Sequence, residues 1–159
     1  MRIQTLKGAL AVAAATSMLV AGVARADTQT VTVNANIIGI CKFNSGQTPV
    51  VTVANSGANI DPSLAGPATG NANVLYRCTN GQAPAFTVPS PATITCTTSG
   101  TCGSTTMAPT MTYTSGGNGA GFSSGKDKTL VVTGQLTQAQ YQDMQSGTYS
   151  GTITVTVTP

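Results

Sequence analysis

Any chemistry in this chain must come from few side chains. Its 159 residues include no His and no Glu. General acid–base work would fall to Asp27, Asp61, Asp127 and Asp143, to the two lysines flanking Asp127, or to tyrosine. Lys126-Asp127-Lys128 follows a glycine tract and reads as a solvated turn. Ser123-Ser124-Gly125-Lys126 offers hydroxyls without a positioned base or a nucleophile elbow. Ser115-Gly116-Gly117-Asn118-Gly119 resembles a phosphate loop but lacks the Gly-Lys-Ser/Thr ending. No aspartate spacing suits calcium. With no Cys-x-x-Cys and no His, zinc is poorly served as well. The residues point away from an enzyme, and no metal or cofactor is expected.

The four cysteines suit an oxidising compartment. Cys41, Cys78, Cys96 and Cys102 allow three pairings, and sequence alone does not choose among them. Geometry favours Cys96 with Cys102, which enclose the short turn TTSGT and would staple a hairpin. Cys41 is then left for Cys78. On the chain-entropy account the long loop would contribute about 4 kcal/mol and the short one about 2 kcal/mol.

The compartment follows from the first residues. Arg2 and Lys7 precede an apolar run over residues 8–23, and Ala24-Arg25-Ala26 is an A-x-A cleavage site. Residues 1–26 read as a secretory signal peptide, leaving Asp27 first in the mature protein. The apolar run is short for a membrane span and has no basic stop-transfer flank, so no span is expected in the mature form. Cleavage removes Arg2, Lys7 and Arg25, the source of the formal charge of +3. Lys42, Arg77, Lys126 and Lys128 then balance the four aspartates. No basic patch supports nucleic-acid binding.

Residues 27–159 suffice for one domain with a core. Threonine, valine and glycine dominate, charged residues are 7%, and mean hydropathy is +0.13. Strand patterns fall at residues 49–54, 73–78, 85–88, 93–97, 110–114, 129–133 and 149–158. Loops are expected at 55–71, around Pro84, Pro89 and Pro91, and across the glycine tract 115–125. Residues 136–144 suit one or two helical turns, capped by Thr137 and ended by Gly147. These elements predict an all-β protein, an antiparallel sandwich of immunoglobulin type.

Two segments stand apart. Val31, Val33, Ala35 and Ile37 alternate with Thr32, Asn34 and Asn36 ahead of Cys41. At the other end Ile153, Val155 and Val157 alternate with threonines, and the chain stops there. Two exposed, alternating ends suggest subunits joined head to tail by strand exchange. On alternation alone, residues 30–40 would serve equally as the first strand of their own domain.

The residues at these ends carry a family resemblance. The leader, the pattern Val31-x-Val33-x-Ala35-x-Ile37-x3-Cys41, the Val74-Leu75-Tyr76-Arg77 stretch before Cys78, and the closing residues 135–159 resemble the spore coat protein U domain. Gly147-Thr148-Tyr149-Ser150 before the last strand is the strongest match. That family includes the secreted subunits of Csu-type, or archaic chaperone–usher, pili. The resemblance implies an incomplete immunoglobulin-like sandwich that lacks its final strand. A periplasmic chaperone would hold it and an outer-membrane usher would export it. The N-terminal strand of the next identical or homologous subunit would complete it. Residues 27–40 would then be the donor strand and 41–159 the domain. Val31, Val33, Ala35 and Ile37 would be the donor side chains, and Ile153, Val155 and Val157 would border the acceptor groove. The resemblance also implies the Cys41–Cys78 disulfide. This chain departs from the family at Met111-Thr112-Tyr113, all that remains of a longer Leu-x-Tyr-x-Leu-Tyr strand, and in its additional Cys96–Cys102 pair.

The expected function is a structural pilus subunit, secreted through the periplasm to the cell surface, supporting adhesion and biofilm formation. The alternatives are a secreted adhesin that binds through Asn-, Thr- and Tyr-bearing loops, and a non-polymerising coat protein of the same fold. An adhesin predicts binding by a monomer, and a coat protein predicts no fibre.

Overall fold

The computed structural model describes residues 28–98, 102–103 and 105–159. The leader at 1–26 and the middle of the turn between Cys96 and Cys102 lie outside the described residues. The chain divides into two units at Ala35/Asn36. Residues 28–35 carry no helix or strand, and Val31 and Val33 are 76% and 86% exposed.

Residues 36–159 form a unit built almost entirely of antiparallel strands. Among the described residues these are β1 (Cys41–Phe43), β2 (Ala68–Cys78), β3 (Ala85–Thr87), β4 (Ile94–Cys96), β5 (Thr106–Met107), β6 (Thr110–Ser115) and β7 (Lys128–Leu136), then a short helix α1 (Gln138–Tyr141), β8 (Tyr149–Ser150) and β9 (Thr156–Thr158). The largest sheet has the order β1-β2-β7-β6, and smaller sheets pair β3 with β9 and set β4 between β5 and β8. The all-β expectation holds.

Alternation explains the main sheet. Along β2, Ala68, Ala72, Val74 and Tyr76 are buried while Thr69, Asn71, Asn73 and Leu75 are exposed. Along β7, Leu130, Val132 and Leu136 point the same way inward. Fully burying such a side chain stabilises by about 1.5–3 kcal/mol. Phe86 of β3 packs against this inner face, edge-on to Tyr76 with ring centroids 4.9 Å apart. A second cluster gathers Ala68, Met107, Leu136 and Tyr141. Tyr141 is satisfied there, donating its hydroxyl to Gly66 O and accepting from Asn55 Nδ2 at 3.0 Å. The outer face is different. Thr69, Asn71, Asn73 and Leu75 of β2 sit beside Gln135 of β7, with Thr110, Thr112 and Thr114 of β6 beyond. All are exposed and none is ionisable.

Both disulfides form as the turn length favoured, Cys41–Cys78 and Cys96–Cys102. The first joins directly opposite residues of β1 and β2.

Several element boundaries differ from the sequence reading. Residues 68–71, expected in a loop, begin β2, because Gly70 lies opposite Gly134 in β7 and the two leave room over the inner face. A Cβ at Gly70 would collide with the backbone carbonyl of Thr52, and one at Gly134 would lie 3.0 Å from Val51 Cγ1. The segment carrying Val51 and Val53 fills that room. β7 extends to Leu136 and the helix follows Thr137, the expected cap, but ends early at Tyr141; Thr137 N–H donates to Gln140 Oε1 at 2.8 Å at its start. Residues 49–53 form no strand, and only Ala54 bridges to Thr69. Residues 149–158 split into β8 and β9 around an unpaired stretch. β1 and β5 had no strand signal of their own.

The Gly70 contact sets a prediction. Gly70→Ala cannot be absorbed by a flexible side chain, since the obstacle is main chain. It should lower stability by about 1–3 kcal/mol, the usual range for overpacking, read as a fall in the urea midpoint. An unchanged midpoint would mean that residues 51–53 do not lie where the structure puts them.

Candidate functional site

The site grows out of the two stretches that fail to pair. Residues 49–53 and 151–155 belong to no assigned helix, strand or turn, and among the described residues the backbone of neither forms a hydrogen bond with other backbone. Unpaired main chain is costly when buried and invites a partner when it borders an apolar cleft.

Each stretch is pinned at both ends and open in the middle. Ahead of 49–53, the Gln47 carboxamide bonds both backbone groups of Leu75, donating to its carbonyl at 2.8 Å. Behind it, Ala54 and Thr69 exchange two backbone bonds of 3.1 and 2.9 Å. Ahead of 151–155, Tyr149 and Ser150 pair with Cys96 and Thr95. Thr148 N–H donates to Thr98 Oγ1 at 2.8 Å. Behind it, β9 pairs with β3, Val157 facing Phe86. Both segments keep alternation. Val51 and Val53 on one side, and Ile153 and Val155 on the other, turn partly inward, while Thr52, Thr152 and Thr154 are exposed.

A cavity of about 820 Å³ opens between these two lips. Its apolar lining includes Ile94, Met107, Met111, Leu136 and Tyr141. A smaller cavity of about 230 Å³, lined by Phe43, Val74, Ile153 and Val155, shares Pro49 and Ile153 with the first. Together they make one groove along the lips. Five residues of strand cover roughly 17 Å, so each lip offers a strand-length row of free donors and acceptors beside core side chains.

Of the expected groove residues, Ile153 and Val155 line the groove, whereas Val157 lies in β9 and does not. The four donor residues lie elsewhere in the chain: Val31 and Val33 are exposed, as is Ile37 at 82%. No strand is assigned anywhere in 28–40. Sequence reading missed Gln47, Gly70 and Gly134. Only the glycine interrupting the alternation of 68–78 offered a signal.

The second disulfide closes one end of the groove wall. A Cβ at Gly147 would meet Cys102 Sγ and lie 3.2 Å from Cys96 Sγ, so the chain passes tightly against this bond. Thr97 N–H donates to Thr148 O at 2.8 Å from the same loop.

The charged residues serve elsewhere. Lys126-Asp127-Lys128 is not simply a solvated turn. Asp127 receives Arg77 through Nε and through Nη2 at 3.0 Å, and Asn44 Nδ2 at 2.6 Å, while Lys128 opens β7. Arg77 also donates to Phe122 O at 3.0 Å, tying the glycine tract to β2. Hydrogen bonds from Arg77 and then Asn44 hold the Asp127 carboxyl down at about 2, and Asp127 raises the Arg77 guanidinium. A depressed folded pKa adds stability above the unfolded value near 4 and loses it as pH falls towards 2. Asp127→Asn should therefore flatten the acid limb of the stability curve between about pH 4 and 2. Identical acid limbs for both proteins would show that the pair is energetically idle. Among the described residues no cluster of three potential metal ligands occurs, and no helix is long and apolar enough to cross a membrane.

No protein-family model matches this chain, and no curated protein or solved structure is significantly similar to it.

Proposed function

We propose that this protein is a structural subunit of a surface fibre, a pilin assembled by strand exchange between copies. In this reading the unit is an immunoglobulin-like sandwich short of one strand. The vacancy is the groove between residues 49–53 and 151–155, and the occupant is the segment carrying Val31, Val33, Ala35 and Ile37 of a neighbouring copy. The assignment fits the resemblance to the spore coat protein U domain, whose subunits travel with a periplasmic chaperone and an outer-membrane usher. Secretion and a place on the cell surface belong to the same proposal.

One observation carries it. Two lips pinned at their ends and unpaired along their middles flank a groove lined by core side chains. A strand laid there would satisfy both rows of backbone groups and fill the groove with every second side chain. The leading segment has that alternation, and its apolar members at 31, 33 and 37 are exposed. Exchange between identical copies is heterologous and does not close on itself, so it builds an open filament.

The test is Val33→Asp combined with Ile37→Asp, followed by electron microscopy of the secreted material. Loss of fibres supports strand exchange. Detergent-resistant fibres from the doubly substituted chain would sink it in favour of a coat or adhesive role.

A further inference from the structure

The reach of the leading segment depends on a small collar at its base. Thr79, just past β2, binds the backbone on both sides of Gly39. Its hydroxyl accepts from Ile40 N–H at 3.0 Å and donates to Ile38 O at 3.1 Å, while its own N–H donates to Ile40 O at 2.9 Å. Gln82 lies against Gly39 so closely that a Cβ there would overlap its carboxamide. The glycine tract braces this arrangement. Gly119 N–H donates to Gln82 O at 2.8 Å, and Gly119 O accepts from Gly81 N–H at 2.9 Å. The Cys41–Cys78 disulfide sits immediately beside it.

Residues 38–40 are thereby held in line with β1, as a prolongation of its pairing with β2. The groove lies the other way, starting at Phe43, the far end of β1. For a chain to fill its own groove, the leading segment would have to fold back beside β1 and residues 49–53. Such a hairpin needs its turn within residues 38–41, the residues the collar and the disulfide hold straight.

We infer that Thr79, backed by Gln82, is a positioning residue that blocks self-closure and so commits the leading segment to a second copy. This rests on the strand-exchange reading and adds to it. Without the collar, the tethered segment would be the stronger competitor, because a short tether presents it at a high effective concentration. An isolated domain could then satisfy its own groove and leave assembly.

The test compares the chain expressed with its own leader, wild type against Thr79→Val, Gln82→Ala and Thr79→Ser. Recovered material is dissociated in denaturant and refolded at micromolar concentration. Native mass spectrometry gives the monomer fraction, and hydrogen exchange gives protection of the 31–37 amides. Thr79→Val keeps the backbone bond to Ile40 but removes both hydroxyl bonds. It should raise the fraction of monomers with protected 31–37 amides about five- to a hundredfold, the equilibrium effect of two hydrogen bonds. Gln82→Ala should move the same way, and Thr79→Ser should match wild type. If Thr79→Val and Gln82→Ala assemble with the wild-type monomer fraction, the collar does not steer the segment and this inference fails while strand exchange stands. If the 31–37 amides are unprotected in monomer and polymer alike, the groove captures no such strand, and the functional reading fails with it.

Discussion

Aspartate at positions 33 and 37 is expected to abolish fibres while leaving the folded domain intact. Burying Val31, Val33, Ala35 and Ile37 in a neighbour's groove would contribute about 5–8 kcal/mol from apolar area. Main-chain pairing with the two lips would add about 1 kcal/mol for each hydrogen bond. Each carboxylate carried into the apolar groove removes its share and adds a desolvation penalty of several kcal/mol. Two of them cancel the gain from area. The substitutions lie outside every described strand, so thermal unfolding of the doubly substituted monomer should match that of wild-type monomer. A useful control adds wild-type chain. The doubly substituted protein keeps an intact groove, so it should accept a wild-type strand and cap growing fibres. Shorter wild-type fibres on mixing are the expected result, and unchanged lengths would count against a shared groove.

The second large effect concerns Cys41 and Cys78. β1 is three residues long and opens on Cys41, and the disulfide is the covalent tie that adds to its short pairing with β2. Replacing both cysteines with alanine should remove about 4 kcal/mol by the chain-entropy account. That is a large part of the 5–15 kcal/mol typical of a domain. Urea titration of the doubly substituted protein measures it directly. A loss below about 1 kcal/mol would mean that the unfolded chain is not constrained by this loop. The bond also joins the base of the leading segment to the long central strand β2, so tension along a fibre would pass into β2 instead of peeling β1 away.

Much of this was legible in the residues, and the failures have a common cause. Strand-forming runs at 73–78, 110–114 and 129–133 placed β2, β6 and β7, and in the folded sheet one buried face imposes a period of two along β2 and β7. The short turn between Cys96 and Cys102 gave the disulfide pairing. Residues 49–53 and 151–155 alternate equally well yet pair with nothing in the chain. Alternation reports which side chains turn inward and is silent about who supplies the neighbouring strand. Gly70 misled for another reason. It looks like a loop residue, yet its lack of a side chain answers a tertiary need, the passage of Thr52 across the sheet. Arg77 and Asp127 stand 50 residues apart, so nothing local announced their pairing. The collar at Thr79 was invisible for the same reason, being a contact between the end of one strand and the approach to another.

The outer face of the main sheet carries its charges, Lys42 and Arg77, at one end, and the remainder has a colloidal consequence. Threonine, asparagine and glutamine from three adjacent strands cover it, and no side chain between Thr69 and Leu75 of β2 can gain or lose a proton. Two such stretches, away from Lys42 and Arg77, would approach each other with no ionic repulsion for salt to screen or acid to switch off. Side-by-side bundling would be governed by the removal of water from hydroxyls and amides, and would respond to temperature and cosolvents more than to ionic strength.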